Sequence, residues 1–250
     1  MARETVAERA RALMAHAFIA RPPGPGPFPV VIQMHGCGGC KPFQRRYAEA
    51  VVHAGGAAVV VDSFAHREIG TWEAYATVCT GARLRGAQRA GDLFAVYQWV
   101  RAQPWVDSAR VIAAGWSHGA WTVMDALALP SDHFASATGL QGLAPEPLAG
   151  LAGVFLVYPY CGIASLSSRN GWRFAPRGVA IVAGRDRVVG ARHPLAVLNG
   201  LVADGAPLTV LSFPEATHAF DEREASDFRV RYSEERTREA TNALIGLIRG

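Results

Sequence analysis

An α/β protein with a mostly parallel, twisted sheet of about seven to eight strands and helices on both faces is what this sequence predicts, on three observations. Short β-branched apolar runs that end in Gly or polar residues alternate with longer amphipathic segments, the βα pattern of a parallel sheet buried on both sides. The chain has 250 residues, 50% of them hydrophobic and 18% charged, enough to bury a core and far from the polar compositions that stay disordered. Its 26 Gly and 15 Pro are spread over many short connections, which suits one domain spanning 1–250.

In chain order, 12–20 carries a weak apolar run and reads as the first strand, with Pro29-Val30-Val31-Ile32-Gln33-Met34 as the second. The amphipathic segment 43–53 follows as a helix, then 57–62 as a strand of Ala and Val closing on Asp62. In the helix read at 87–103, Ala90, Leu93, Tyr97 and Val100 recur at helical spacing and make one buried stripe. Strand 110–115 runs into helix 118–129, and strands follow at 153–158, 179–183 and 208–213, with helices at 194–203 and 234–248. Three connections are long, 64–82, 130–150 and 161–177; two of them leave strand C-terminal ends and carry Trp72, Tyr75, Trp172 and Phe174. Open α/β sheets bind ligands at that end, so these loops read as pocket walls.

The net charge is +4, and Lys41 is the only Lys beside a scatter of Arg interleaved with acids, as in Asp221-Glu222-Arg223-Glu224. That is a solvated surface, not the clustered basic face of a nucleic-acid binder. No apolar run approaches the roughly 18 residues of a membrane-spanning helix. The start, Ala2-Arg3-Glu4-Thr5-Val6-Ala7-Glu8, lacks the basic stretch and apolar block of a secretory leader. A cytoplasmic protein is expected, or a periplasmic or secreted one if a leader has been removed. Four Cys permit two disulfides in three pairings.

The chemistry starts at Gly115-Trp116-Ser117-His118-Gly119. A G-x-S-x-G between a strand and a helix is a nucleophile elbow, a tight turn in which side chains two positions either side of the Ser would collide. The helix that follows directs its N-terminus at the Ser and favours negative charge there. A Ser hydroxyl needs a base oriented by a third group, and on such sheets the partners follow in the order Ser, acid, His. Asp186 lies just past strand 179–183 in Gly184-Arg185-Asp186-Arg187, and His218 follows strand 208–213. Glu215 and Asp221 compete for the acid role but lie close to His218 in sequence, and Asp62 precedes Ser117. Asp186 leads on order.

An oxyanion needs preorganised donors. The N–H of His118 is one candidate, and the loop His35-Gly36-Cys37-Gly38-Gly39-Cys40 offers the N–H of Cys37 as the other. The same loop holds Cys37-x-x-Cys40, the spacing of a thiol-disulfide redox pair, and this is the rival reading from another reaction class. A disulfide joining Cys37 or Cys40 to Cys79 or Cys161 is a further option. A zinc site is disfavoured, because only His35 stands near the two Cys and it is expected to pack locally.

With the elbow, Asp186, Thr217-His218-Ala219-Phe220-Asp221 and the His35–Gly39 loop in place, the chain from about residue 12 to 250 resembles the dienelactone hydrolase family of α/β-hydrolases. The resemblance implies a largely lidless sheet with the active site at the strand C-termini, a Ser117–His218–Asp186 triad, and Cys37 and His118 amides as oxyanion donors. One departure matters: the founding members carry a Cys nucleophile where this chain has Ser117, which favours general ester hydrolysis over a dienelactone substrate. Trp116 beside the nucleophile also resembles cutinase-like polyester hydrolases.

The expected activity is therefore carboxylic ester hydrolysis through an acyl-enzyme, on a small-molecule ester, with no metal or organic cofactor. His66, Trp72, Trp116, Tyr158 and Tyr160 stand on or beside strand ends and are read as substrate-lining. A peptidase of the same fold, a polyester hydrolase and a non-catalytic binding module are the other readings. The residues do not specify an oligomeric state.

Overall fold

A computed structural model describes residues 4–250. The chain runs through β1 (Glu4–Thr5), α1 (Val6–Met14), β2 (Phe18–Ala20), β3 (Phe28–Met34), α2 (Pro42–His53) and β4 (Ala57–Val61). It continues through α3 (Thr71–Glu73), α4 (Gly86–Arg101), β5 (Val106–Trp116), α5 (His118–Ala128), α6 (Phe134–Thr138) and β6 (Leu140–Gln141). The last part holds β7 (Gly153–Val157), α7 (Ser167–Asn170), β8 (Gly178–Ala183), α8 (Arg192–Ala203), β9 (Leu208–Phe213) and α9 (Glu234–Arg249).

Seven strands form one sheet in the order β2-β4-β3-β5-β7-β8-β9. All neighbours pair in parallel except β2, which lies antiparallel on β4 at the edge. Successive side chains of a strand point to opposite faces, and the strands sort their residues accordingly. Val30, Ile32, Val59, Val111, Ala113, Val154 and Leu156 pack in one core with α1, α4, α5 and α8. Val31, Val60, Ile112, Ala114, Trp116, Phe155 and Val157 pack in the other with α2 and α9. This two-sided burial is why β4 and β7 read as unbroken apolar runs, and β3 as one interrupted only by the buried Gln33, instead of alternating ones.

The expected strand at 12–20 is corrected. Only Phe18–Ala20 is a strand; residues 12–14 end α1 and residues 15–17 turn out of it. Thr5 caps that helix, its hydroxyl taking the Glu8 N–H at 3.2 Å while the Glu8 carboxylate reaches back to the Thr5 N–H at 2.8 Å. Ala10 and Leu13 lie three apart on its buried face, a helical and not a strand period. α1 is also held by Arg9, whose Nη1 donates to the fully buried Asp92 Oδ1 at 2.8 Å. Arg67 reaches the same carboxylate with two bonds, at 2.7 and 2.9 Å. Burial alone would raise the Asp92 carboxyl; Arg67 and then Arg9 more than offset it and hold it well below the usual range.

The long connections are structured. The segment after β4 forms a turn at Ala65–Arg67, α3 and a π-helical turn at Ala74–Val78; α6 and β6 occupy the second connection and α7 the third. β6 pairs in parallel with β1, Glu4 opposite Leu140. Among the described residues no helix is long and apolar enough to cross a membrane.

Candidate active site

β5 ends at Trp116 and α5 begins at His118, so Ser117 alone makes the turn, with φ 54° and ψ −114°. This positive φ is strained for a residue with a Cβ. Two glycines make the turn possible. A Cβ on Gly115 would strike the backbone of Gly119 and Ala120, and a Cβ on Gly119 would strike the Met34 and His35 carbonyls at the end of β3. Neither obstacle is a movable side-chain tip, so the elbow motif follows from sterics.

The hydroxyl of Ser117 donates to His218 Nε2 at 3.0 Å, and His218 Nδ1–H donates to Asp186 Oδ2 at 2.7 Å. All three residues are buried, with Ser117 at 8% exposure. Asp186 is fixed by its other oxygen, which accepts the N–H groups of Val188 and Val189 at 2.8 and 2.9 Å. The three competing acids are engaged elsewhere. Asp62 accepts the N–H groups of Phe64 and Ala65, Glu215 pairs with Arg185, and Asp221 is surrounded by Tyr and Trp donors.

The loop after β3 passes close to the Ser117 turn: a Cβ on Gly36 would stand 3.6 Å from Ser117 Cβ and from the Trp116 carbonyl. Among the described residues the backbone N–H groups of Cys37 and His118 take no protein acceptor. The helix N-terminus of α5 adds its partial positive charge at the same place. Behind the loop lies Arg89, fully buried, which donates to the His35 carbonyl at 2.7 Å and to Ser63 Oγ at 2.8 Å, with His118 Nδ1 at 3.3 Å. Burial lowers Arg89 to about 10, which leaves it protonated at neutral pH. Burial first, and Arg89 second, lower the imidazole of His118 to about 3. A neutral imidazole therefore lies between Arg89 and Trp121 at neutral pH.

Cys37 is bonded to Cys79, which caps the π-helical turn, across 42 residues. The Cys37-x-x-Cys40 redox pair is thereby overturned: Cys37 is taken, and Cys40 is a free thiol. Cys40 is an exposed residue whose sulfur lies 3.7 Å from the Val61 carbonyl, and desolvation, then Asp62, push its thiol up to about 12. His35, Cys40 and Asp62 form a metal-type grouping, with ligand atoms within 4.8 Å of one another. Each is already engaged. His35 donates from Nδ1 to the Gly36 carbonyl at 2.6 Å and accepts the Ser63 N–H at Nε2 at 3.1 Å. With Asp62 capping its own turn, we assign no metal here.

The residues expected to line substrate divide. Trp116 is corrected: it is fully buried on the far face of the sheet among Phe43, Tyr47 and Phe155, because neighbours along a strand face opposite ways. Tyr158 is corrected too; it is 2% exposed, and its ring lies against His218 with centroids 4.6 Å apart. His66 is lowered to about 4, first by burial and then by Arg67, and stands in the field of Asp92 and Arg9 on the α1 side. Trp72 is 89% exposed. Tyr160 is half-buried and packs at a tilt against Trp121, ring centroids 4.7 Å apart, and Trp121 in turn meets His118 edge-on at 4.8 Å. The sequence offers Asp221 only as a rival acid and gives no signal for Arg89; the partners of each are distant in the chain.

The parallel sheet, the strained Ser at the end of β5 and the loops gathered at the strand C-termini define an α/β-hydrolase. A model of the dienelactone hydrolase family matches residues 15–249. The chain belongs to the dienelactone hydrolase family, and with it to the hydrolases that act on esters. No curated protein sequence matches significantly. Similar solved structures share the fold at low identity. A Klebsiella pneumoniae protein named as a candidate dienelactone hydrolase has a TM-score of 0.69 at 17% identity, over 93% of this chain and 92% of its own. A dienelactone hydrolase-like promiscuous phosphotriesterase from metagenomic libraries gives 0.64 at 18%, over 90% and 87%. Esterase 2 of Thermogutta terrifontis gives 0.64 at 15%, over 92% and 88%.

Proposed function

We propose that this chain is a serine carboxylesterase that works through an acyl-enzyme, with residues 1–250 as one α/β-hydrolase domain. The observation that carries the reading is the continuous chain Ser117 Oγ, His218, Asp186, with steps of 3.0 and 2.7 Å. His218 removes the Ser117 proton as the oxygen attacks the ester carbonyl. The amides of Cys37 and His118 receive the oxyanion, and losing one such donor costs on the order of 100- to 1000-fold in rate. His218 then protonates the departing alcohol, and later takes a proton from the water that attacks the acyl-enzyme. Asp186 keeps His218 in the Nδ1–H tautomer and stabilises its cation. Tyr160 and Trp72 remain proposed contacts for the acyl or alcohol part of a small ester.

The test is a panel of aryl, alkyl, lactone and polyester substrates, with fluorophosphonate labelling, on wild type and Ser117→Ala. Wild type is expected to label once and to hydrolyse short esters; the variant should do neither. Equal hydrolysis by both proteins removes Ser117 from the mechanism.

A further inference from the structure

Asp221 is fully buried and lies three residues after His218 on the loop that follows β9. Its Oδ1 accepts the Tyr158 hydroxyl at 2.6 Å, and its Oδ2 accepts the Tyr47 hydroxyl at 3.1 Å and the Trp116 indole N–H at 3.0 Å. Among the described residues no cation pairs with it. Three neutral donors, from α2, the end of β5 and the end of β7, converge on one desolvated carboxylate. Burial of this kind is unfavourable unless every lone pair is used.

Two of the donors have an unusual location. Trp116 is the residue immediately before Ser117. Tyr158 is the first residue beyond β7, holds a positive φ of 38°, and supports the His218 ring face at 4.6 Å. Its neighbour Val157 accepts the Ser117 N–H at 2.9 Å. Asp221 therefore ties together the strand that presents the hydroxyl, the ring on which the imidazole rests, and the loop that carries the imidazole.

We infer that Asp221 is a positioning residue for the Ser117–His218 couple, acting through Trp116 and Tyr158; this rests on the esterase reading. Removing the carboxylate leaves three buried donors without an acceptor and frees the His218 loop from β5. A misplacement of about 1 Å costs on the order of 100-fold in rate, while substrate binding, which does not involve Asp221, is untouched.

The experiment compares Asp221→Ala, Asp221→Asn and Tyr158→Phe with wild type on one short aryl ester, with rates normalised to fluorophosphonate-titrated sites. Asp221→Ala is expected to lose about 100-fold in kcat with KM within about threefold. Asp221→Asn, which keeps the volume and one acceptor oxygen, should recover to within about tenfold of wild type. Tyr158→Phe keeps the ring and removes one strut, so it should fall between them. Should the Ala variant not fold, the Asn and Phe variants decide. A second readout needs no turnover: the downfield proton resonance of His218 Nδ1–H is expected in wild type and broadened or lost in Asp221→Ala and Tyr158→Phe. A kcat within threefold of wild type in all folded variants, or an unchanged resonance, overturns the inference whatever the melting temperature does. A wild type that neither labels nor hydrolyses any ester refutes the esterase reading instead, and the resonance alone then decides the positioning.

Discussion

Asp125 lies on the buried face of α5, eight positions after the proposed nucleophile, and anchors the 161–170 loop. Its Oδ1 accepts the Leu166 N–H at 2.8 Å and the Ser165 hydroxyl at 3.4 Å, whereas its Oδ2 has no partner. Burial raises its carboxyl from 3.8 to about 7, against the opposing effect of those hydrogen bonds. Between those two values the folded state keeps a proton that the unfolded chain releases, so the stability this group contributes is full below 3.8 and declines as pH rises to about 7. At about 1.4 kcal/mol per pH unit, the decline amounts to about 4 kcal/mol over the window. Asn at 125 cannot titrate. Its fixed offset, including an amide facing the Trp121 indole, shifts the whole curve without changing its slope. Urea unfolding of wild type and Asp125→Asn at one-unit steps from pH 4 to 8 should show the wild-type advantage falling steadily to about pH 7 and flat above it. Parallel curves would refute the assignment of a neutral carboxyl to this position.

The same titration on the Asp125→Asn background exposes the opposite sign. His118, lowered to about 3, His66, lowered to about 4, and His35, lowered well below its usual value by burial, refuse protons that the unfolded chain accepts below 6.5. Stability should therefore fall on acidification by roughly 1.4 kcal/mol per pH unit for each of His118 and His35, and by less for the half-buried His66; a flat profile between pH 6.5 and 4.5 contradicts it. Asp92→Ala strands Arg9 and Arg67 and should lower the unfolding free energy by about 3 to 5 kcal/mol in chemical denaturation; a loss under 1 kcal/mol would show that water replaces the carboxylate. Cys79→Ala opens a 42-residue loop and should lose about 4 kcal/mol if chain entropy governs. It should also slow acylation by freeing the loop that bears the Cys37 amide, read as a lower labelling rate at saturating folded protein.

The fold was legible because a sheet buried on both faces leaves a strong signal: Val30–Met34, Ala57–Val61 and Gly153–Val157 are short, apolar and closed by polar or turn residues. Ser117, Asp186 and His218, which the structure brings within hydrogen-bond distance, each follow a strand end, and chain order on such sheets is constrained. The 12–20 error had a remedy in plain view, since Thr5 and Glu8 spell a capping box and Ala10 and Leu13 a helical face. Strand alternation sends Trp116, the residue before Ser117, to the other face of the sheet, so its place beside the nucleophile in sequence is not a place in the pocket. Asp221 is different. Its donors lie 174, 105 and 63 residues away, and only the closed sheet brings them together. The choice of Cys79 over Cys161 as the partner of Cys37 likewise depends on where the π-helical turn folds back.

The torsion at residue 117 sets the chain's best fold against its best chemistry. A glycine adopts φ near +54° without the penalty a Cβ brings, and strained backbone positions of this kind typically store about 1 to 3 kcal/mol. Ser117→Gly should therefore melt above wild type while hydrolysing nothing. A selection for thermal robustness alone, applied to this chain, would drift toward a sturdier and silent protein.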